Sequence, residues 1–144
     1  MYPTLRPAML LRGTIGYLLI VFPLAYVWHL VAFESTYREL GYFSREEPIV
    51  AFGFVSVVLQ GVLLSFLYPL ICRTSSVLAN LFLFVLVMGG YHWTVHVLAE
   101  AAKHPIEPLS TWFALESAYL LIQFASTGLL FAVVHRSTTV ASSS

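Results

Sequence analysis

Residues 77–99 read VLANLFLFVLVMGGYHWTVHVLA, and this stretch decides the fold. It holds no Asp, Glu, Lys or Arg. A helix rises about 1.5 Å per residue, so roughly 20 apolar residues cross a bilayer core of about 30 Å. Three more stretches share this character, at about residues 13–33, 49–71 and 109–134. Arg73-Thr74-Ser75-Ser76 gives a tight turn with an N-cap before the third stretch. Lys103-His104-Pro105-Ile106-Glu107-Pro108 stops that helix and opens the fourth, where Ser110 or Thr111 suits a cap. No period-two pattern and no repeat interrupts this organisation. The sequence therefore predicts an all-α fold: a polytopic membrane four-helix bundle forming one domain over residues 1–136. A disordered Ser/Thr-rich tail follows over 137–144.

Composition agrees. Of 144 residues, 59% are hydrophobic and 10% charged, whereas a soluble domain is roughly a quarter charged. Net charge is zero, which removes the field that would favour nucleic acid. The expected surroundings are the lipid bilayer, with a larger membrane complex or a homo-oligomer as the protein partner. The single cysteine excludes an internal disulfide. The first apolar stretch ends in Tyr26-Val27-Trp28-His29 without a small-residue cleavage site, so it reads as a mature helix and not a signal peptide. Pro23 within it predicts a kink. Small residues such as Gly13, Gly16, Gly61 and Ser65 predict close helix approaches.

Charge sets an expected orientation. Four spans put the N-terminus, the second loop and the C-terminus on one side, with Arg6, Arg12, Arg73 and Arg136 and no Glu. All seven acidic residues are Glu and fall towards the other side, with Arg38, Arg45 and Lys103. Basic residues flanking spans favour the cytoplasm, so the expected topology is N-in/C-in. Trp28, Trp93, Trp112 and Tyr42 read as an aromatic belt at the outer interface. Residues 37–47 mix Tyr37, Leu40, Tyr42 and Phe43 with charges, which predicts an interfacial helix or a cap over the acidic end.

Ionisable residues inside spans carry the functional expectation, because they are costly there. His92, His96 and Glu100 recur every four residues on one helical face. His29 and Glu116 come from the first and fourth spans. From the helical rise, His29, His96 and Glu116 lie at a similar depth, about 10 Å outward of mid-bilayer. His92 lies deeper and Glu100 nearer the surface. His29, His92, His96 and Glu116, with Glu100, are thus candidate ligands for a transition metal such as Zn²⁺ or Cu²⁺. Paired histidines from two helices also permit haem, as His29 with His92 or His96. A di-iron motif wants Glu-x-x-His, which neither His92 nor His96 has, and the zinc-protease motif needs Glu where Trp93 stands. The alternative reading of the same residues is a hydrogen-bonded polar plug. Gln60 and Gln123, near mid-bilayer, are expected interhelical contacts. Glu116, Gln123 and Thr127 form one polar seam.

The strings Trp28-His29-Leu30-Val31-Ala32-Phe33 and Tyr37-Arg38-Glu39-Leu40-Gly41 resemble those of uncharacterised small four-helix bacterial inner-membrane proteins. Arg45-Glu46-Glu47-Pro48-Ile49 and Ala101-Ala102-Lys103-His104-Pro105-Ile106 add to the likeness. The resemblance implies a bacterial inner membrane and no particular chemistry.

No nucleophile–base pair, phosphate loop or cofactor fingerprint is present, so an enzyme is the least expected function. The leading expectation is a non-enzymatic structural or accessory membrane subunit. A metal- or haem-binding protein in electron transfer or metal handling is the first alternative. A small transporter or channel subunit is the second.

Overall fold

A computed structural model of the chain describes residues 7–43 and 45–140, with 136–140 described in backbone only. Arg6, part of the charge argument, and residues 141–144 of the expected tail lie outside the described residues. Four helices are long and apolar enough to cross a membrane. We label them α1 (Pro7–Ala32), α3 (Val50–Ile71), α4 (Val77–Lys103) and α5 (Leu109–Val140). A short helix, α2 (Glu34–Glu39), sits in the first loop.

The boundaries follow local chemistry. α1 begins at Pro7, six residues before the stretch read from hydropathy, because Arg12 is tolerated on an exposed helical face. Ser76 caps α4, its hydroxyl accepting from the Ala79 N–H at 3.2 Å. Asn80 ties the preceding turn, donating to the Thr74 carbonyl at 2.8 Å and accepting from the Thr74 N–H at 3.1 Å. α5 starts directly after Pro108, so Ser110 and Thr111 lie in its first turn and are not caps. Its backbone stays helical to Val140, past residue 134, since no Gly or Pro stops it. π-helical turns occur at Trp28–Ala32, Val85–Gly89 and Trp93–Leu98. Two of them carry His29 and His96, and such turns frequently mark functional positions.

The bundle is built on α1, which packs most extensively against α3 and then α5. Gly13 makes this possible: a Cβ there would lie 2.1 Å from Ser65 Oγ and 2.9 Å from its Cβ. The half of the bundle with the helix 3–4 turn is filled by Tyr17, Phe84, Phe124 and Phe131, all buried. The outer surface is strongly apolar, with Leu19, Phe52, Leu78 and Phe82 each about 70% exposed or more. A protein folded in water does not present such a surface, and lipid accepts it.

Over the acidic end the first loop folds back as a cap, as its amphipathic pattern predicts. The turn after α2 closes at Gly41, whose φ of 76° suits glycine. The Tyr42 N–H reaches the Tyr37 carbonyl at 3.1 Å and the Gly41 N–H the Arg38 carbonyl at 3.0 Å, a Schellman ending. The Glu107 N–H donates to the Leu40 carbonyl at 3.1 Å, tying the cap to the α4–α5 loop. Tyr37 and Leu40 are buried beneath it. The aromatic-belt expectation fails for Trp112. It is fully buried, its indole N–H donating to the Val97 carbonyl at 3.0 Å, because the cap covers it.

Candidate functional site

Glu116, one quarter of the way along α5, is fully buried. A carboxylate removed from water must find donors or give up its charge. Three side chains from three other elements reach it. His96 Nε2 on α4 stands 2.7 Å from Glu116 Oε2. His29 Nε2 on α1 stands 3.4 Å from Oε1. The Tyr37 hydroxyl, from the cap, donates to Oε1. That same hydroxyl accepts from the Trp28 indole N–H at 3.0 Å. One ligating atom each from His29, His96 and Glu116 lie within 4.8 Å of one another.

The ring of His29 is held in place. Tyr37 stacks on it at 5.0 Å between centroids and Tyr119 meets it edge-on at 4.6 Å. Its Nδ1 faces the Ala25 carbonyl at 3.0 Å. A carbonyl only accepts, so Nδ1 carries a proton and Nε2 is the atom offered to the site. Facing a carboxylate, that Nε2 either bears a second proton or receives one from Glu116.

The structure divides the candidate residues. His29, His96 and Glu116 converge. His92 lies beside His96, with ring centroids 5.6 Å apart, and lines a neighbouring cavity without reaching Glu116. Glu100 turns away: it pairs with Lys103 and with His104 at 3.0 Å. Straight α-helical spacing put His92, His96 and Glu100 on one face. The π turn at Trp93–Leu98 alters that register, and Glu100 pairs instead with Lys103 and His104 at the end of α4. Gln60 and Gln123 do connect helices, but through a residue that the sequence reading did not single out. The Gln123 amide donates to the Tyr17 hydroxyl at 2.8 Å, which donates to Gln60 Oε1 at 2.8 Å. The seam of Glu116, Gln123 and Thr127 is buried inside the bundle. Tyr37 was read only as part of an amphipathic loop. Its position in a loop gives no periodicity from which contact with Glu116 could be inferred.

The cap tyrosines are held neutral. Burial first, and then the negative charge of Glu116, raises the Tyr37 phenol above its ordinary value. Burial, with Glu116 and Glu100, pushes Tyr42 up to about 12.

Two imidazoles and a carboxylate match the donor set of single zinc and non-haem ferrous sites. Donors about 2.1 Å from one ion at tetrahedral angles stand roughly 3.4 Å apart, which is the His29–Glu116 separation. The His96–Glu116 contact is a hydrogen bond and would lengthen around an ion. The hydrogen bond from His29 Nδ1 to a backbone carbonyl is the usual support for a ligating imidazole. Haem fits less well. Its axial imidazoles flank a flat ring, whereas the Glu116 carboxylate stands between these two. Comparison with protein-family models, curated proteins and solved structures finds no match.

Proposed function

We propose that this chain is a non-enzymatic, multi-pass membrane protein, N-in/C-in, that holds one divalent first-row transition ion near its outward end. The ligands are His29 Nε2, His96 Nε2 and the Glu116 carboxylate. The observation that carries this reading is their convergence, from three separate helices, within 4.8 Å. A single buried carboxylate with two imidazoles suits one ion and not a di-iron pair. The ion supplies the positive charge that a buried carboxylate needs. Tyr37 then holds Oε1, the carboxylate oxygen that faces His29, an outer contact of the kind that orients ligands. The conduit reading is less well supported, because buried aromatics fill the opposite half of the bundle.

The test is metal content. Protein purified in mild detergent without chelators is measured for metal per chain, as wild type and as Glu116→Gln, His96→Ala, His29→Ala and His92→Ala. The proposal expects near one ion in the wild type and in His92→Ala, and a large loss in the other three. A wild type with no stoichiometric metal, or loss only in His92→Ala, refutes it.

A further inference from the structure

Beside the cluster the bundle is open. α3 and α4 touch sparsely, with contacts such as Cys72 Sγ to the Asn80 carbonyl at the end where they are joined. Further along, a cavity of about 350 Å³ lies among α1, α3, α4 and α5. That is the size range of small-molecule sites. Its lining is unusually polar for this depth: Ser56, Gln60, His92, His96, Tyr119 and Gln123 all border it. Ser56 and Val95, at its edge, are exposed on the apolar outer surface, so the cavity opens where acyl chains run. At the acidic end the aromatic cap of Tyr37, Tyr42, Phe43 and Trp112 closes the route to water.

Several polar groups here are left without protein partners. Among the described residues, no hydrogen bond engages the Tyr119 hydroxyl, the His92 ring or the Gln123 amide oxygen. Tyr119 and Gln123 are themselves 6% and 2% exposed, so their free groups face the cavity and not bulk solvent. Such groups are expensive in a bilayer unless something meets them. No Lys or Arg lines the cavity, and the nearest carboxylate is already engaged by His96. An anionic headgroup would find no cation to pair with.

We propose that this cavity binds a neutral, lipid-dissolved molecule with carbonyl or hydroxyl oxygens on its head, of the quinone and quinol kind. It enters sideways between α3 and α4. Tyr119 donates to a ligand oxygen, Gln123 accepts from a ligand hydroxyl, and His92 takes either role. The hydrocarbon tail lies against the exposed apolar flank of α3, near Phe52 and Val55. This inference does not rest on the metal reading, since none of Tyr119, Gln123 and His92 is a ligand in it.

The experiment uses the full chain, stripped of metal with chelator, in nanodiscs of neutral lipid. The probe is a decyl-substituted benzoquinone, with binding followed by equilibrium dialysis. The wild type should bind one probe saturably. Tyr119→Phe should weaken binding about three- to tenfold, the value of one hydrogen bond. Ser56→Trp, which fills the mouth from an exposed position, should abolish it. Leu59→Trp, on the same helix but outside the cavity, should leave it unchanged, with circular dichroism confirming that all variants stay folded. Sodium oleate should compete poorly. Non-saturable partitioning, binding unchanged in Ser56→Trp, or strong displacement by oleate would overturn the proposal.

Discussion

Replacing Tyr37 by Phe takes one oxygen from the centre of the site and keeps the ring. The stacking on His29 and the edge contact with Trp112 at 6.3 Å survive. Two hydrogen bonds vanish: the one donated to Glu116 and the one accepted from Trp28. A bond to a charged group contributes about 1.5–3 kcal/mol, and an orphaned buried donor costs about 1–3 kcal/mol. Glu116 keeps its two imidazoles, and Trp28 is only half-buried, so both contributions fall at the low end. The expected loss is about 2–3 kcal/mol. Trp28→Phe removes the donor that Tyr37→Phe would orphan, so the double variant should cost less than the sum by about 1 kcal/mol. The assay is reversible unfolding in mixed micelles, titrated with sodium dodecyl sulfate and followed by circular dichroism. A loss under about 0.5 kcal/mol, with additive effects in the double variant, would refute the claim that the cap is wired into the cluster.

Gly13→Ala should destabilise the bundle by about 1–3 kcal/mol, because its Cβ meets Ser65; Gly53→Ala, with nothing within 4 Å, should be neutral or stabilising in the same titration. Equal effects at the two positions would contradict the α1–α3 packing. Tyr42 should resist ionisation in the folded protein. Its raised value means the folded state holds the proton more tightly, so its contribution to stability is complete below pH 10 and declines between about 10 and 12. Ultraviolet tyrosinate absorbance, compared with that of the unfolded chain, checks this, and normal titration of every tyrosine would count against a buried cap. Reporters fused at either terminus should read cytoplasmic and one inserted between Gly41 and Glu47 external; an external C-terminus would overturn the N-in/C-in orientation.

The fold was legible because lipid imposes a length and a composition on each span, and the described helices overlap all four stretches read from hydropathy. Legibility declined where contacts are not periodic. His29, His96 and Glu116 could be grouped by depth, since the rise per residue is fixed. Depth does not say which way a residue turns: Glu100 pairs with Lys103 and His104, and His92 lines the cavity beside His96 without joining the three that converge. The π turn at Trp93–Leu98 is the local cause, and hydropathy does not record it. Tyr37 and Tyr17 were missed for a related reason. Each supplies a hydroxyl between elements distant in sequence, and nothing in its own segment marks that role. Trp112 was read as an interfacial anchor because it lies near a span end. The loop that buries it is held by a backbone bond from Glu107 to Leu40, which no side-chain pattern announces.

X-ray absorption at the zinc edge reads whether three helices place two imidazoles and one carboxylate on one ion. Full-length protein is loaded with one equivalent of Zn²⁺ in detergent and compared with His92→Ala and His96→Ala. The expected spectrum has a shell of nitrogen and oxygen at about 2.0–2.2 Å, with outer scattering from two imidazole rings, unchanged in His92→Ala and reduced to one ring in His96→Ala. A spectrum with no imidazole scattering, or one that changes in His92→Ala and not in His96→Ala, would contradict it.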